Sequence, residues 1–273
     1  MLKTILALDA AWTATEPSGV ALVQGDHAEW RCLTVAPSYD EFFAQAGGLQ
    51  TDWSSKKFAG ALPDVPRLLS AARSLAGRPV DLITVDMPMA TVSFSSRRAA
   101  DIAVSVEFGS RWCSTHTPSL TRPGPLGAKL SSAAQASGYK LATVATQAAE
   151  VNRLVEVYPH PALLSLLQRD RRVSYKVGKS GRYWPDLDRT DRIHALLGVF
   201  NSIYRALEKV FGPLGFDVPA PEDIPALAHL KRYEDALDAL ACAWVGVEYL
   251  KGRTVALGDE TAAIWCPADV VHG

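Results

Sequence analysis

Two short apolar runs that each end on an aspartate set the frame for this chain. Residues 4–8 read Thr-Ile-Leu-Ala-Leu into Asp9, and residues 80–85 read Val-Asp-Leu-Ile-Thr-Val into Asp86. Apolar runs of this length bounded by turn residues read as strands. Two more strands lie between them, residues 19–24 (Gly-Val-Ala-Leu-Val-Gln) and 27–36, joined at Gly25-Asp26, a pair suited to a tight hairpin turn. The chain therefore opens as an antiparallel meander. Residues 39–60 are mixed, irregular or helical, and residues 65–75 place Val65, Leu68, Leu69, Ala72 and Leu75 at helical spacing before Gly77. A helix between the meander and the strand ending at Asp86 makes a parallel crossover beside the first strand the simplest connection. The last clear strand is residues 153–158 (Arg-Leu-Val-Glu-Val-Tyr), closed by Pro159; beyond Pro161 helix dominates, most strongly over 233–250.

The expected fold is α/β: a mixed five-stranded sheet, with a three-strand antiparallel meander plus two parallel strands, flanked by helices. It is expected to form one domain over residues 1–273, with insertions at about 90–150 and 165–230. The first insertion contains the Pro/Gly/Ser/Thr-rich stretch 109–127, a length usually associated with function or mobility.

Composition removes several classes. Lys and Arg number 28 against 29 Asp and Glu, a net charge of −1 that argues against a polybasic binder while permitting a local basic patch. No apolar run is long enough to span a membrane, and the opening run is too short for a signal peptide. Cys32, Cys113, Cys242 and Cys266 are scattered without a CxxC pair, so free thiols, a cytoplasmic location and no disulfide-linked partner are expected. The six histidines, His272 among them, form no HExxH pair, and neither a GxxxxGK[ST] nor a GxGxxG loop occurs. Zinc hydrolysis and nucleotide-kinase chemistry therefore lack support.

The chemistry lies in acids with apolar neighbours. Asp9 and Asp86 end apolar strands, Glu156 interrupts one, and Asp238 is the only ionisable residue over 236–247. Carboxylates are seldom buried unless paired or metal-bound, because desolvating the charge is costly. If the first and fourth strands are parallel neighbours, Asp9 and Asp86 stand side by side at the C-terminal edge of the sheet. Asp235 and Asp238, three apart, share a helix face. Three or four carboxylates in one place repel unless a divalent cation neutralises them, and hard oxygen donors suit Mg²⁺ or Mn²⁺. Each acid also has a plainer reading: a turn or cap residue for Asp9 and Asp86, a solvated helix start for Asp235, a salt bridge to Arg153 or another base for Glu156, and a hydrogen bond to a Tyr or Trp for Asp238. Residues 169–192 add eight Lys and Arg with Tyr175, Tyr183 and Trp184 interleaved. Such a mixture suits a nucleic-acid groove or a solvated loop.

In this order, Leu8-Asp9-Ala10, Val85-Asp86-Met87-Pro88, Glu156-Val157-Tyr158-Pro159, Tyr175-Lys176 and Asp235-Ala236-Leu237-Asp238-Ala239 resemble the domain of unknown function family 429, regarded as predicted RNase H-like nucleases. The last motif is similar to the C-terminal helix of Holliday-junction resolvases. The resemblance implies an RNase H-like fold and a nuclease or phosphodiesterase with Mg²⁺ or Mn²⁺ on Asp9, Asp86, Asp235 and Asp238. Glu156 would be a further catalytic ligand or a group beside one. Arg98, Lys176 and Arg192 are expected phosphate contacts, and DNA or RNA the partner. The competing expectation is a non-catalytic RNase H-like nucleic-acid-binding or scaffold protein. Phosphoryl transfer on the related actin-like fold is disfavoured by the missing phosphate loop.

Overall fold

The computed structural model describes residues 1–55 and 57–271; His272 lies outside the described residues. The meander is present as β1 (Lys3–Asp9), β2 (Gly19–Gly25) and β3 (Trp30–Ala36). Two helices follow, α1 (Tyr39–Ala46) and α2 (Val65–Ala76), the second capped by Asp64 at its start and by left-handed Gly77 at its end. Strand β4 (Leu82–Val85) then lies parallel to β1, with Leu8 opposite Val85. The strand starts two residues later than the apolar pattern suggests, because the Asp81 carboxylate accepts from the Thr4 N–H at 2.9 Å and from Lys3 at 3.1 Å.

Helices α3 (Ala99–Phe108) and α4 (Leu126–Ala136) precede β5 (Lys140–Leu141) and β6 (Arg153–Val157), which runs parallel to β4. Then come α5 (Pro159–Leu166), the short α6 (Ser180–Tyr183), the long α7 (Arg189–Phe211) and α8 (Lys231–Leu250). The chain closes with a hairpin of β7 (Thr254–Gly258) and β8 (Ala263–Pro267). The sheet has eight strands in the order β3-β2-β1-β4-β6-β8-β7, with β5 paired to β6. This corrects the expectation of five. Strand β5 is too short to carry a pattern. Strands β7 and β8 have five residues each and follow a long apolar helix, where periodicity cannot separate strand from helix. Their turn is fixed by the Asp259 carboxylate, which accepts from the N–H groups of Thr261 and Ala262.

Both faces of the sheet are covered. In β1, Ile5 and Ala7 join the core beneath α7 and α8, whereas Leu6 and Leu8 join the core beneath α1 and α2. Helix α8 is buried on nearly all sides, lying on β1 and β2 with α7 on its outer flank. Glycines allow this close approach. A Cβ at Gly19 would stand 2.1 Å from the Asp235 carbonyl oxygen, and one at Gly246 would meet Thr84 and Ile5 at about 3 Å. Gly19→Ala is therefore expected to push the N-terminal half of α8 off the sheet. We expect a cost of roughly 1–3 kcal/mol, the usual scale for overpacking, measurable by urea unfolding. Among the described residues no helix is long and apolar enough to cross a membrane, and the four cysteines are free thiols.

Candidate functional site

Strand register brings the acids together. Leu8 pairs with Val85 and Val85 with Glu156, so the C-terminal ends of β1, β4 and β6 lie side by side. The Asp86 N–H donates to the Leu8 carbonyl at 3.0 Å, which fixes Asp86 next to Asp9. Gly19 pairs with Asp9 across β1 and β2 and touches the Asp235 backbone, which brings α8 to the same edge. A cavity of about 710 Å³ opens there, and Asp9, Asp86, Glu156, Glu234 and Asp235 line part of it.

These carboxylates differ in environment. Burial raises Asp86 well above the ordinary range, and the Asp9 charge beside it adds to the effect. Asp235 is likewise pushed well up by burial and by Asp9, against the pull of Lys231. The Lys231 ammonium pairs with Asp235 Oδ1, while Asp235 Oδ2 is buried without a hydrogen-bond partner among the described residues. Burial would also raise Glu234, but Lys176, Lys231 and the Val177 N–H outweigh it and hold this acid below its usual value. The Val177 N–H donates to Glu234 at 2.6 Å and Lys231 Nζ at 3.0 Å.

Asp238 stands one layer behind. It does not line the cavity; it is fully buried, with the Tyr175 hydroxyl donating to Oδ1 at 2.5 Å and Lys176 Nζ to Oδ2. Burial raises it to about 6 even with the opposing Lys176 charge. The hydrogen bond to a tyrosine is the plainer of its two sequence readings. Glu156 is also fully engaged in a salt bridge, its plainer sequence reading, and the base is Arg98 rather than Arg153. Arg98 donates to both Glu156 oxygens at 2.7 Å and to both Asp101 oxygens at 2.7 and 3.0 Å, and the Met89 N–H adds a bond to Glu156 at 2.9 Å. Arg153 pairs with Glu150 instead.

The expected phosphate contacts divide in the same way. Lys176 lies on the cavity wall, tied to Asp238 and Glu234. Arg98 borders the cavity, but its guanidinium is consumed by the carboxylate clamp. Arg192 is off the wall, donating to the Trp184 and Pro185 carbonyls at 3.1 and 3.2 Å and so holding the 169–188 segment. Sequence reasoning missed Glu234 and Lys231 as members of the site. Their signal was the spacing of Lys231 from Glu234 and Asp235, three and four along one helix. Also unassigned were Trp12, His116 and Arg122, which loops supply without local pattern, and His160 from the first turn of α5.

The donor chemistry suits a hard dication: Asp9, Asp86 and Asp235 present oxygens at one edge, and among the described residues Asp235 Oδ2 has no hydrogen-bond partner. Among the described residues, however, no three His, Cys, Asp or Glu side chains are already spaced to hold a metal ion. Lys231 and Lys176 supply the compensating charge.

The chain belongs to the family described as "Protein of unknown function (DUF429)", which it matches over residues 9–263. No curated protein and no solved structure matches it.

Proposed function

We propose that this protein is a metal-dependent phosphodiesterase acting on nucleic acid, with an RNase H-like catalytic core. The carrying observation is that Asp9, Asp86 and Asp235, from two strands and a helix, line one cavity that cationic side chains also enter. The antiparallel meander followed by the parallel strands β4 and β6 supports the RNase H-like reading, with the β7–β8 hairpin as an extension of that sheet.

In this reading Asp9, Asp86 and Asp235 would hold Mg²⁺ or Mn²⁺. Such an ion lowers the pKa of a bound water and stabilises developing charge on the leaving oxygen. Lys231, which pairs with Asp235 and has a side chain 50 % exposed, would have to release this carboxylate for that role. Lys176 stays anchored by Asp238 and directs its positive charge toward the substrate phosphate. Asp238 and Tyr175 thus act by positioning Lys176. The Arg98–Glu156 clamp holds the ends of the α3 and β6 elements that frame the cavity.

The test is hydrolysis of single-stranded DNA and RNA oligonucleotides with Mn²⁺ or Mg²⁺, alongside calorimetric titration with Mn²⁺. Asp9→Asn should lower the rate by about 100-fold or more, on the scale of disrupted metal sites, with circular dichroism unchanged. No Mn²⁺ binding at millimolar concentration, together with oligonucleotide binding but no turnover, would establish the non-catalytic scaffold instead.

A further inference from the structure

The cavity carries a second set of charges that the acidic edge does not use. His116 and Arg122 enter from the loop between α3 and α4, and Arg172 and Lys179 from the segment between α5 and α7. Among the described residues, none of Arg122, Arg172 and Lys179 has a carboxylate within ion-pair distance, although every other cation on the wall does. Among the described residues the Arg172 Nε is buried without a hydrogen-bond partner. Beside it His160, only 3 % exposed, lines the same cavity with its Nδ1 unpartnered, its ring held edge-on between Tyr158 and Tyr175.

The cations are close enough to oppose one another. Burial depresses Lys179, and Arg172, Lys176 and Arg182 depress it further; burial depresses His116, with Lys179, Arg172 and Arg122 adding to it. A folded protein keeps uncompensated cations together with orphaned donors only at a cost, which a bound anion removes.

We propose that this basic wall is a receptor for a terminal phosphomonoester, so that the cavity takes the phosphorylated end of a single-stranded nucleic acid. Charge selects the group. A phosphodiester carries one negative charge, whereas a phosphomonoester carries about 1.5 to 2 at neutral pH and offers three acceptor oxygens, matching three unpaired cations. Size selects the end over the middle of a duplex, because about 710 Å³ falls within the range of small-ligand pockets. Trp12 and His116, paired edge-to-face at 6.4 Å on the wall, provide ring surface for the terminal base.

The inference takes its substrate class from the phosphodiesterase reading, but its test needs no turnover. Fluorescence anisotropy in EDTA would compare trinucleotides carrying a 5′-phosphate, a 3′-phosphate or hydroxyls at both ends, with inorganic phosphate as competitor. We expect one phosphorylated end to bind at least tenfold more tightly than the hydroxyl form, and Arg172→Gln with Lys179→Gln to erase that preference without lowering the melting temperature. Equal affinity for phosphorylated and hydroxyl ends would overturn the proposal, as would a preference that survives in the double variant. Inorganic phosphate competing as strongly as the phosphorylated trinucleotide would overturn the assignment to a strand end. A preserved preference with no hydrolysis under any divalent metal would sink the phosphodiesterase reading alone.

Discussion

Asp86→Asn is expected to melt at a higher temperature than the parent protein in EDTA while lacking the metal-dependent turnover proposed for the parent. Asp86 is raised first by burial and then by Asp9, and Asp235 by the same two causes. A carboxyl whose folded value lies above its unfolded one, near 3.9, binds its proton more tightly in the native state. Its contribution to stability is then greatest below the unfolded value and declines as pH rises through the folded one. For Asp238, raised to about 6, that decline falls between about pH 4 and 6; for Asp86 and Asp235 it continues toward higher pH.

Asparagine at position 86 removes the ionisation, so the gap between variant and parent should widen from pH 5 to pH 8. Each kcal/mol gained corresponds to about 2–4 °C in a chain of this size. Mn²⁺ should raise the melting temperature of the parent and leave the variant unmoved, because the ion stabilises only a state that binds it. Scanning calorimetry across pH, with and without Mn²⁺, gives all four curves. A variant less stable than the parent at every pH would mean that Asp86 serves the fold through local donors and holds no ion.

The second large effect concerns Arg98. Its guanidinium joins the start of α3 to β6 through Asp101 and Glu156, and the three side chains are nearly inaccessible to water, with 3 %, 1 % and 3 % of their surfaces exposed. Removing one member of a buried ion network leaves the others charged and unpaired, which costs about 3–5 kcal/mol. Arg98→Ala should therefore lower the melting temperature by on the order of 10 °C. Arg98→Lys should recover little, because an ammonium with three donors cannot reproduce the four contacts by which the planar guanidinium engages both oxygens of each carboxylate. A phosphate-contacting arginine would behave differently, weakening substrate binding at unchanged melting temperature. Denaturant unfolding of Arg98→Ala alongside substrate titration separates these outcomes.

Local pattern was informative where the physics is local. The meander, the parallel return beside β1 and the helix ending at Leu250 all follow from apolar runs, turn residues and helical spacing. The placement of Asp9 beside Asp86 followed from the strand order alone. The C-terminal hairpin was not legible, because five-residue strands after an apolar helix have no periodicity of their own. Arg98 was unreadable for another reason: its partner Glu156 lies 58 residues away, and a pair at that separation leaves no trace in spacing.

The chain's order of residues thus determined which acids could meet: strands ending in Asp9 and Asp86, a strand carrying Glu156, and a helix carrying Asp235 and Asp238. Only the tertiary structure decided which of them face the cavity, because a carboxylate's role depends on the donors around it. Asp9, Asp86, Asp235 and Glu156 reach the cavity and Asp238 does not; among the described residues Asp235 Oδ2 is unpartnered, while Asp238 and Glu156 are saturated by Tyr175, Lys176 and Arg98, groups brought to them by packing across the sheet.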